Sequence, residues 1–372
     1  MKVSVITVCM NASMTIERCL KSVIKQKTGN VEYIVIDGAS GDGTVDILRK
    51  YAKYITKMVS EPDQGIYDAM NKGIRLSTGD WITFINADDE LAEGAVETVA
   101  NFVAKNADVD VVYGDICYAD GSSITRNKYD RIDLTRIYYE MAIAHPGTFI
   151  RGGVCKSHLF NTQYQLSADY DMLRRLYVEG YRFYHVPHVQ AVFYKGGATS
   201  QRLYDSVMET CAIARRGIMK DAYLQEKYLS IIELREYLAF FYSVRDEIPQ
   251  CREVCDAIRE DLFLTKDIVI FGAGRDGREF ASILNSINIP INAFTDNKSE
   301  LWETECMGID IKPPSALEGI SNTVIIAASK LYYSSMKMQI HTIVSDESVD
   351  VFDMLEVMGH IGRLYYERTN CI

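Results

Sequence analysis

The sequence predicts an α/β protein with two mainly parallel β-sheets, a larger one in the first 200 residues and a smaller one near the carboxyl end. Short apolar runs rich in β-branched residues alternate with helical patterns, and the strands of the first part include residues 3–8, 31–36 and 81–85. Strands and helices that alternate in this way form right-handed βαβ units and therefore parallel sheets. The pattern starts again near Lys266, and 372 residues are enough for two domains or more.

Composition and charge narrow the class of protein. The hydrophobic content of 48% and the charged content of 24% are ordinary for a soluble protein. A formal net charge of −11 disfavours binding to a nucleic-acid backbone, which needs a basic surface, but it allows a nucleotide at a local site. Nine cysteines without metal-ligand or redox spacing indicate reduced thiols in a cytosolic protein. We find no signal-peptide pattern, and no apolar run approaches the roughly 20 residues of a membrane span.

The first elements place polar residues where strands end. Asn11 or Ser13 follows the first strand and can cap the next helix. The second strand ends at Asp37, which opens a turn-rich loop with three glycines at 37–44. A polar loop after the third strand precedes a short helix that we expect to end at Gly73. The strands predicted up to this helix lie at residues 3–8, 31–36 and 57–60.

Two adjacent carboxylates, Asp88 and Asp89, directly follow the apolar strand at 81–85. Open α/β sheets bind their ligands at the carboxyl ends of such strands. Neighbouring carboxylates repel each other unless a cation or strong hydrogen-bond donors neutralise them, and their oxygens suit Mg²⁺ or Mn²⁺ that bridges to a substrate phosphate. The alternative is a solvated acidic turn that caps the next helix, at 94–105.

The rest of the first region is less regular. Residues 122–136 are polar, and we expect them to form an irregular, mobile loop. Ser167 to Asp171 opens a helix, and a glycine-rich loop at 196–200 closes the region. Further strands are predicted at residues 109–113, 181–186 and 189–194. We therefore place a first domain at 1–202 and a connector of two to four helices, packed on that domain, at 203–264.

The first domain resembles the family 2 glycosyltransferases of the GT-A fold over roughly residues 3–200. Several motifs occur in the order typical of that family. They are Ile6-Thr7-Val8-Cys9-Met10-Asn11, Asp37-Gly38-Ala39-Ser40-Gly41-Asp42-Gly43-Thr44, Asp63-Gln64-Gly65-Ile66-Tyr67-Asp68-Ala69-Met70-Asn71-Lys72-Gly73, Asn86-Ala87-Asp88-Asp89 and Ala168-Asp169. The resemblance implies a nucleotide-diphospho-sugar as the sugar donor.

The resemblance also implies roles for individual residues. A divalent cation, Mg²⁺ or Mn²⁺, would be held by Asp88 and Asp89, and the resemblance does not specify which of the two is the direct ligand. Asp169 matches the position of the catalytic base, and members of this family invert the anomeric centre in one displacement, so a single base suffices. Asp37, at a strand end, can accept hydrogen bonds from a base or ribose. The expected contacts to the nucleotide are Thr7, Val8, Asn11, Asp37, Ser40, Asp68, Asn71 and Lys72.

Two positions depart from the family pattern. Asn86 replaces the first Asp of the D-x-D motif, which weakens a metal contact there, and Ala168 replaces the Glu that precedes the base in many members. Asp169 has an alternative interpretation as a helix cap, with Asp171 as the substitute base. His145 precedes a Pro-Gly pair in the stretch where relatives often have a histidine near the acceptor or diphosphate, and its alternative is a structural role.

The region 265–372 resembles the small Rossmann-like modules attached to sugar-modifying enzymes. Gly272, Gly274 and Gly277 follow a predicted strand and open a helix, and Asp296 comes about 20 residues later, as the dinucleotide fingerprint requires. One interpretation is nucleotide binding, with a dinucleotide as the cofactor. The alternative is a scaffolding or partner-binding domain that keeps the turn for packing.

These observations favour an inverting, metal-dependent glycosyltransferase that acts on a hydroxyl of a glycan or lipid-linked acceptor in surface polysaccharide biosynthesis. Two alternatives come from other classes: an NAD-dependent sugar oxidoreductase and a non-catalytic nucleotide-binding scaffold. The oxidoreductase would need a catalytic pair near Gly272, and the sequence shows none. We expect a cytoplasmic protein. Peripheral contact with the inner face of the cell membrane and assembly into a homo-oligomer are left open.

Overall fold

The larger sheet of the computed structural model is built around β1 (Val3–Cys9), of which every residue is buried. The structure describes residues 1–26, 30–120, 123–129, 132–194, 196, 202–216, 222–263, 266–329 and 333–369. Within these ranges the sheet has nine strands. The other eight are β2 (Val31–Asp37), β3 (Lys57–Ser60), β4 (Trp81–Phe84), β5 (Glu90–Leu91), β6 (Val111–Asp120), β7 (Ser123–Asn127), β8 (Phe149–Arg151) and β9 (Phe183–Tyr194).

The strand order is β3-β2-β1-β4-β8-β6-β9-β5, and β7 pairs with β6 outside this path. Strands β3, β2, β1 and β4 are mutually parallel, whereas β8 is antiparallel to both of its neighbours. In the parallel half, Cys9 is the partner of Asp37, and Ile6 is the partner of Phe84. The carboxyl ends of β1, β2 and β4 therefore meet at one edge, where the sequence analysis predicts the site.

Helices cover the sheet and connect its strands. Helix α3 (Ile66–Leu76) packs so closely on β1 that a side-chain carbon on Gly73 would lie 2.5 Å from Ile6 Cγ2. Gly73 was expected to end this helix, but the helix continues to Leu76, because the glycine is needed for packing and not for a turn. The first six helices of the chain are α1 (Ile16–Ile24), α2 (Thr44–Lys50), α3 (Ile66–Leu76), α4 (Ala95–Lys105), α5 (Gly152–Ser157) and α6 (Ala168–Val178).

Two local predictions differ from the structure. The stretch expected to be irregular contains β7, which pairs antiparallel with β6, and the ion pair between Arg126 and Asp115, 2.6 Å apart, ties the two strands together. A tertiary contact of this kind leaves no periodic pattern in the sequence. The two strands expected at 181–186 and 189–194 form one long strand, β9, with an irregularity in its pairing beside Gly114 and Asp115. Apart from Gly196, the predicted glycine-rich loop at 196–200 lies outside the described residues.

The later part of the chain forms a second, six-stranded sheet of order β12-β13-β11-β10-β14-β15. Its pairs are parallel except for β12 with β13. The strands are β10 (Asp267–Phe271), β11 (Ala293–Thr295), β12 (Glu305–Cys306), β13 (Ile309–Lys312), β14 (Thr323–Ala327) and β15 (Asp350–Asp353). The helices after α6 are α7 (Leu203–Arg216), α8 (Ala222–Val244), α9 (Arg252–Ile258), α10 (Arg275–Ser286), α11 (Tyr333–Ile343) and α12 (Met354–Thr369).

The chain divides into two units, Met1–Tyr228 and Leu229–Ile372. The division falls inside the predicted connector 203–264. Apolar side chains of its later half pack in the hydrophobic core of the second unit, among them Phe241, Ile248, Val254, Ile258 and Phe263. The prediction that the whole connector packs on the first domain is therefore wrong for its later half, because the apolar residues of that half complete the core of the second unit. The domain boundaries themselves stay a prediction.

Candidate active site

A cavity of about 470 Å³ lies at the carboxyl edge of β1 and β4. Its wall combines the end of β1, the loop after β3, the first turns of α3 and the loop after β4. The lining residues are Val8, Cys9, Met10, Asn11, Ala12, Thr15, Asp63, Gly65, Ile66, Ala69, Asn86, Ala87, Asp88 and Phe193. This is the position at which open α/β sheets bind ligands, and a wall that contains both polar and apolar groups suits an amphipathic molecule such as a nucleotide.

Hydrogen bonds between main chain and side chains fasten the loop after β1 to the loop after β2. The amide of Asn11 donates to Ser40 Oγ (2.7 Å), and the amide of Gly41 donates back to Asn11 Oδ1 (3.0 Å). The amide of Ala12 donates to Thr44 Oγ1 (2.8 Å). Asn11 has a left-handed φ of 50°, which Asn tolerates better than most residues. The loop therefore has a fixed shape without a ligand, and Asn11 contributes to the cavity wall.

Asp37 is fully buried and shapes the loop that follows β2. Its carboxylate accepts hydrogen bonds from the amide and hydroxyl of Ser40 (3.0 and 2.5 Å) and from the hydroxyl of Ser60 (2.7 Å). Burial alone would raise the pKa of Asp37, but these hydrogen bonds outweigh it and hold the pKa below its usual value. Thr7 is also fully buried, and its hydroxyl lies 3.1 Å from that of Tyr33. Neither Asp37 nor Thr7 lines the cavity.

The polar residues predicted on α3 hold the surrounding loops. Asn71 exchanges two hydrogen bonds of 2.9 Å with the main chain of Phe160. Lys72 donates to the carbonyl of Pro62 (2.9 Å) and pairs with Glu61 (3.0 Å), while Asp68 lies 3.6 Å from Lys72. These contacts fix the loop from which the cavity wall is built.

One residue that the sequence analysis did not select is Asp63. It lines the cavity, and its Oδ1 accepts a hydrogen bond from the amide of Gly65 (2.9 Å). Its Oδ2 faces Gly38 so closely that a side-chain carbon on Gly38 would lie 2.6 Å away. The sequence carries a signal for Asp63, because this residue opens one of the family motifs and Gly65 follows two positions later.

Asp88 and Asp89 have different environments. Asp88 lines the cavity and is partly exposed, whereas Asp89 is fully buried. Asp89 Oδ1 accepts a hydrogen bond from the amide of Tyr194 (3.0 Å), and within the described part of the chain Asp89 Oδ2 has no hydrogen-bond partner. Burial, and then the charge of Asp88, raise the pKa of Asp89 to about 7. Helix α4 begins after Gly94, and no side chain caps it, so the pair does not form the predicted acidic helix cap.

Arg18 of α1 holds this acidic loop in place. Its guanidinium donates to the carbonyl of Asp88 and lies 3.4 Å from the carboxylate of Glu90. The same group stacks on the ring of Tyr194, 3.5 Å from the ring centre. Because the charge of Arg18 acts on the carboxylates of both Glu90 and Asp89, it reduces the repulsion between the acidic groups of this loop.

The acidic residues fit a substrate-bridged cation better than a preformed metal cage. Among the residues that the structure describes, no three His, Cys, Asp or Glu side chains are grouped for metal binding. Mg²⁺ typically needs one or two carboxylates, several waters and the oxygens of a substrate phosphate. Asp88 supplies such a carboxylate on the cavity wall, while Asp89 is buried and does not line the cavity.

Asp169 lies in the first turn of α6, and Ser167 occupies the position that precedes the helix. The geometry therefore does not support the alternative interpretation of Asp169 as the helix cap. Asp169 Oδ1 accepts hydrogen bonds from the hydroxyl of Tyr67 (3.1 Å) and from the amide of Tyr170 (2.9 Å). Asp171, the substitute base, is held by Arg175 at 2.9 Å.

The chain before α6 is fastened by Glu209 of α7. Its carboxylate accepts hydrogen bonds from three successive amides, those of Gln165, Leu166 and Ser167, at 2.8 to 3.0 Å. A carboxylate at this point also complements the positive end of the helix dipole. Glu209 therefore fixes the start of α6, and with it the position of Asp169. The sequence gives no local signal for this role of Glu209.

His145 is part of a buried aromatic group. It stacks on Phe84, with ring centres 5.1 Å apart, and meets the edge of Phe160 at 5.6 Å. Only 3% of its surface is exposed, and none of the described residues forms a hydrogen bond with its Nε2. Burial lowers the pKa of His145, against the opposing charge of Asp169, so the ring is neutral at neutral pH. Both interpretations of His145 stay open, since a buried neutral ring can be structural or face a ligand.

In the second unit the predicted fingerprint forms a tight turn between β10 and α10. Gly277 allows this turn, because a side-chain carbon there would lie 1.8 Å from the carbonyl oxygen of Gly272, and Gly274 faces open space. Asp296 accepts hydrogen bonds from the amides of Ala273 (2.8 Å) and Lys298 (2.9 Å). The acidic residue thus holds the turn itself, and nucleotide binding by this unit stays a prediction.

Solved structures show which fold the chain has. S. aureus TarS 1–349 in complex with UDP matches with a TM-score of 0.53 at 19% identity, over 70% of this chain and 81% of that one. A mannosyltransferase from Pyrobaculum calidifontis, PcManGT in complex with GDP-Man and Mn²⁺, matches with a TM-score of 0.52 at 16% identity, over 77% and 84% of the two chains. The fold is therefore of the GT-A type, which confirms the predicted α/β fold class.

Sequence comparison gives the family. The model of Glycosyl transferase family 2 matches residues 4–163, and a model described as C2185-like, N-terminal, matches residues 264–349. A PGL/p-HBAD biosynthesis glycosyltransferase of Mycobacterium bovis is 31% identical over 210 residues, which is 54% of this chain and 80% of that protein. The minor teichoic acid biosynthesis protein GgaB of Bacillus subtilis is 28% identical over 178 residues, or 45% and 20% of the two chains. The chain belongs to glycosyltransferase family 2, as its motifs predict.

A helix long and apolar enough to cross a membrane does not occur in the described part of the chain.

Proposed function

We propose that the protein transfers a sugar from a nucleotide-diphospho-sugar to a hydroxyl group of a glycan or lipid-linked acceptor, with inversion at the anomeric carbon. The cavity at the strand ends, with Asp88 on its wall, is the observation that carries this proposal. The names of the relatives support the class of acceptor, because they refer to PGL/p-HBAD and to teichoic acid biosynthesis.

The sugar donor would enter the cavity with its nucleoside against the end of β1. Val8, Asn11 and Asp63 line that part of the wall and would contact it. The other predicted nucleotide residues would act indirectly. Asp37 and Asn71, for example, form hydrogen bonds with the loops behind the cavity wall and not with the cavity itself. A wall that is ordered before the ligand binds lowers the entropic cost of binding.

The diphosphate would lie near Asp88, which would hold Mg²⁺ or Mn²⁺ together with the phosphate oxygens. The ion supplies stabilisation of the negative charge that develops on the departing nucleoside diphosphate. The solved structure of PcManGT contains Mn²⁺ and GDP-Man, which supports a divalent ion in this fold. Asp89 would support the loop from below, through its hydrogen bond with Tyr194.

Asp169 would act as the general base. It takes the proton of the acceptor hydroxyl while the acceptor oxygen bonds to the anomeric carbon. The bond between that carbon and the diphosphate oxygen breaks in the same step, and the nucleoside diphosphate leaves with the electron pair. One carboxylate suffices for this single displacement, in contrast to glycoside hydrolysis, which requires two across the bond.

A purified-protein assay tests the proposal. A thermal-shift panel of nucleotide sugars identifies the sugar donor, since a ligand at 100 times its Kd adds about 2.7 kcal/mol of stability. Release of nucleoside diphosphate is then measured with Mn²⁺ or EDTA in the wild type and in Asp88→Asn. We expect EDTA or Asp88→Asn to reduce release by on the order of 10²-fold while the melting temperature stays unchanged.

Asp46→Asn is the matched control, because Asp46 is an exposed aspartate on α2 that pairs with Arg49. It should behave as the wild type does. Equal release with EDTA, with Asp88→Asn and in the wild type would contradict the metal assignment. A protein that neither binds nor cleaves any nucleotide sugar would contradict the proposed function.

A further inference from the structure

Tyr67 links the helix that lines the cavity to the proposed base. Its side chain is 6% exposed, and its hydroxyl donates to Asp169 Oδ1 over 3.1 Å, across 102 positions of sequence. Burial, followed by the charge of Asp169, raises the pKa of Tyr67 well above its usual value. The phenol therefore stays protonated and remains a hydrogen-bond donor across the working range of pH.

The ring of Tyr67 is held in one orientation. It packs against Phe160, with ring centres 5.5 Å apart, and Asn71 fixes the main chain of Phe160 through two hydrogen bonds of 2.9 Å. Tyr67 and Asn71 are four residues apart on α3, so they lie on the same face of this helix. A side chain locked by packing can hold a partner more precisely than a flexible one.

The two oxygens of Asp169 are not equivalent. Oδ1 accepts from Tyr67 and from the amide of Tyr170. Among the described residues no hydrogen bond to Oδ2 is found, in contrast to Oδ1. The contact with Tyr67 also prevents the carboxylate from rotating freely, because rotation would break the hydrogen bond to Oδ1.

We propose that Tyr67 is a positioning residue, which holds Oδ1 of Asp169 so that Oδ2 takes the proton from the acceptor hydroxyl. This inference rests on the proposed role of Asp169 as the general base. It also assigns α3 two tasks, since Ile66 and Ala69 of the same helix line the cavity for the sugar donor. Precise placement of a reacting group lowers the barrier, whereas it has little effect on binding of the sugar donor.

Tyr67→Phe tests the inference, because it removes one hydroxyl and keeps the ring. We expect kcat for transfer to fall about tenfold, with the KM for the sugar donor within about twofold of wild type. Tyr33→Phe is the matched control, since it removes another buried hydroxyl, whose partner at 3.1 Å is Thr7 and not Asp169. The control should keep wild-type kcat. Rates are divided by the fraction of protein that binds the sugar donor, so partial misfolding does not imitate a loss of catalysis.

Asp169→Asn separates this inference from the proposed function. If Asp169→Asn transfers at the wild-type rate, the proposed base is wrong and both statements fail. If it loses on the order of 10² to 10⁴ in rate while Tyr67→Phe keeps wild-type kcat, only the role of Tyr67 is overturned. Equal losses in Tyr67→Phe and Tyr33→Phe would also overturn it, because they would report the general cost of losing a buried hydroxyl.

Discussion

At the scale of single residues, the side chains predicted to contact the nucleotide perform two kinds of task. Asn11 lies on the cavity wall, whereas Asp37 and Asn71 use their polar atoms to hold the loops behind it. Residue type and motif order predict which residues belong to the region. They do not predict which way each side chain faces, because that depends on contacts made across the fold, such as Asn71 with Phe160.

Asp63 provides a prediction at this scale. Asp63→Asn should weaken the affinity for the sugar donor about tenfold, since hydrogen bonds to charged groups contribute about 1.5–3 kcal/mol and Asp63 Oδ2 is directed at the wall beside Gly38. Isothermal titration with the nucleoside diphosphate measures this loss directly. Asp46→Asn is the matched control, as Asp46 is an exposed aspartate that pairs with Arg49 and does not line the cavity. An unchanged affinity in Asp63→Asn would remove Asp63 from the binding residues.

At the scale of secondary-structure elements, the two edges of the parallel strands have different tasks. The carboxyl edge holds the cavity, and the opposite edge is fastened by Glu32 at the start of β2. Its buried carboxylate accepts hydrogen bonds from Ser4 Oγ (2.6 Å) and from the amide and hydroxyl of Thr78 (2.6 and 2.7 Å), and Lys2 lies 3.2 Å away. One side chain thus connects β1, β2 and the chain before β4.

Glu32 makes stability depend on pH. Burial by itself would raise its pKa, but the hydrogen bonds lower it to about 2, from a usual value of 4.5. Because the pKa in the folded state is the lower one, Glu32 stabilises the fold above about pH 4.5, and this contribution is lost as the pH falls towards 2. Glu32→Gln should therefore reduce the free energy of unfolding by about 1–3 kcal/mol at pH 7.

Urea denaturation at several pH values measures this effect. The difference between wild type and Glu32→Gln should be constant from pH 7 to 5 and should shrink at pH 3. Glu179→Gln is a suitable control, because Glu179 is half exposed and pairs only with His158 among the described contacts. A difference for Glu32→Gln that does not change with pH would show that the carboxylate is not charged in the folded protein.

Elements were predictable from sequence where periodicity alone determines them. The buried runs of β1, β2 and β4 are almost continuously apolar, and their order with the intervening helices fixes parallel pairing. Strand β7 was not predictable, because all five of its residues are exposed and its pairing depends on β6. Its sequence carries no apolar face to indicate a strand.

At the scale of the whole molecule, the sequence predicts two sheets, and the structure contains both. The point of division was harder to predict. Residues 229–263 are helical and lack strand signals, so their pattern does not indicate which core they join. Their apolar side chains pack with those of β10 and β14, for example Phe241 with the cluster that contains Ile270 and Val324. A local stretch of sequence cannot reveal such packing, because the partners are far apart along the chain.

Two truncated chains test this division. A chain that ends at Tyr228 retains the described elements of the first unit, including the cavity and Asp169, and we expect it to be soluble, cooperatively folded and able to release nucleoside diphosphate. A chain that ends at Leu264 adds a segment whose core partners are missing. Exposed apolar surface of that kind promotes association, so this longer chain should aggregate more and melt less cooperatively.

Size-exclusion chromatography, thermal melting and release of nucleoside diphosphate distinguish the two truncated chains from the full chain. The predicted connector requires the opposite order, because a segment packed on the first domain would stabilise it. If the chain that ends at Leu264 is the more soluble and more stable of the two, residues 229–264 belong with the first domain, and the division at Tyr228 is wrong. If neither truncated chain folds while the full chain is active, the first unit depends on the second for its stability.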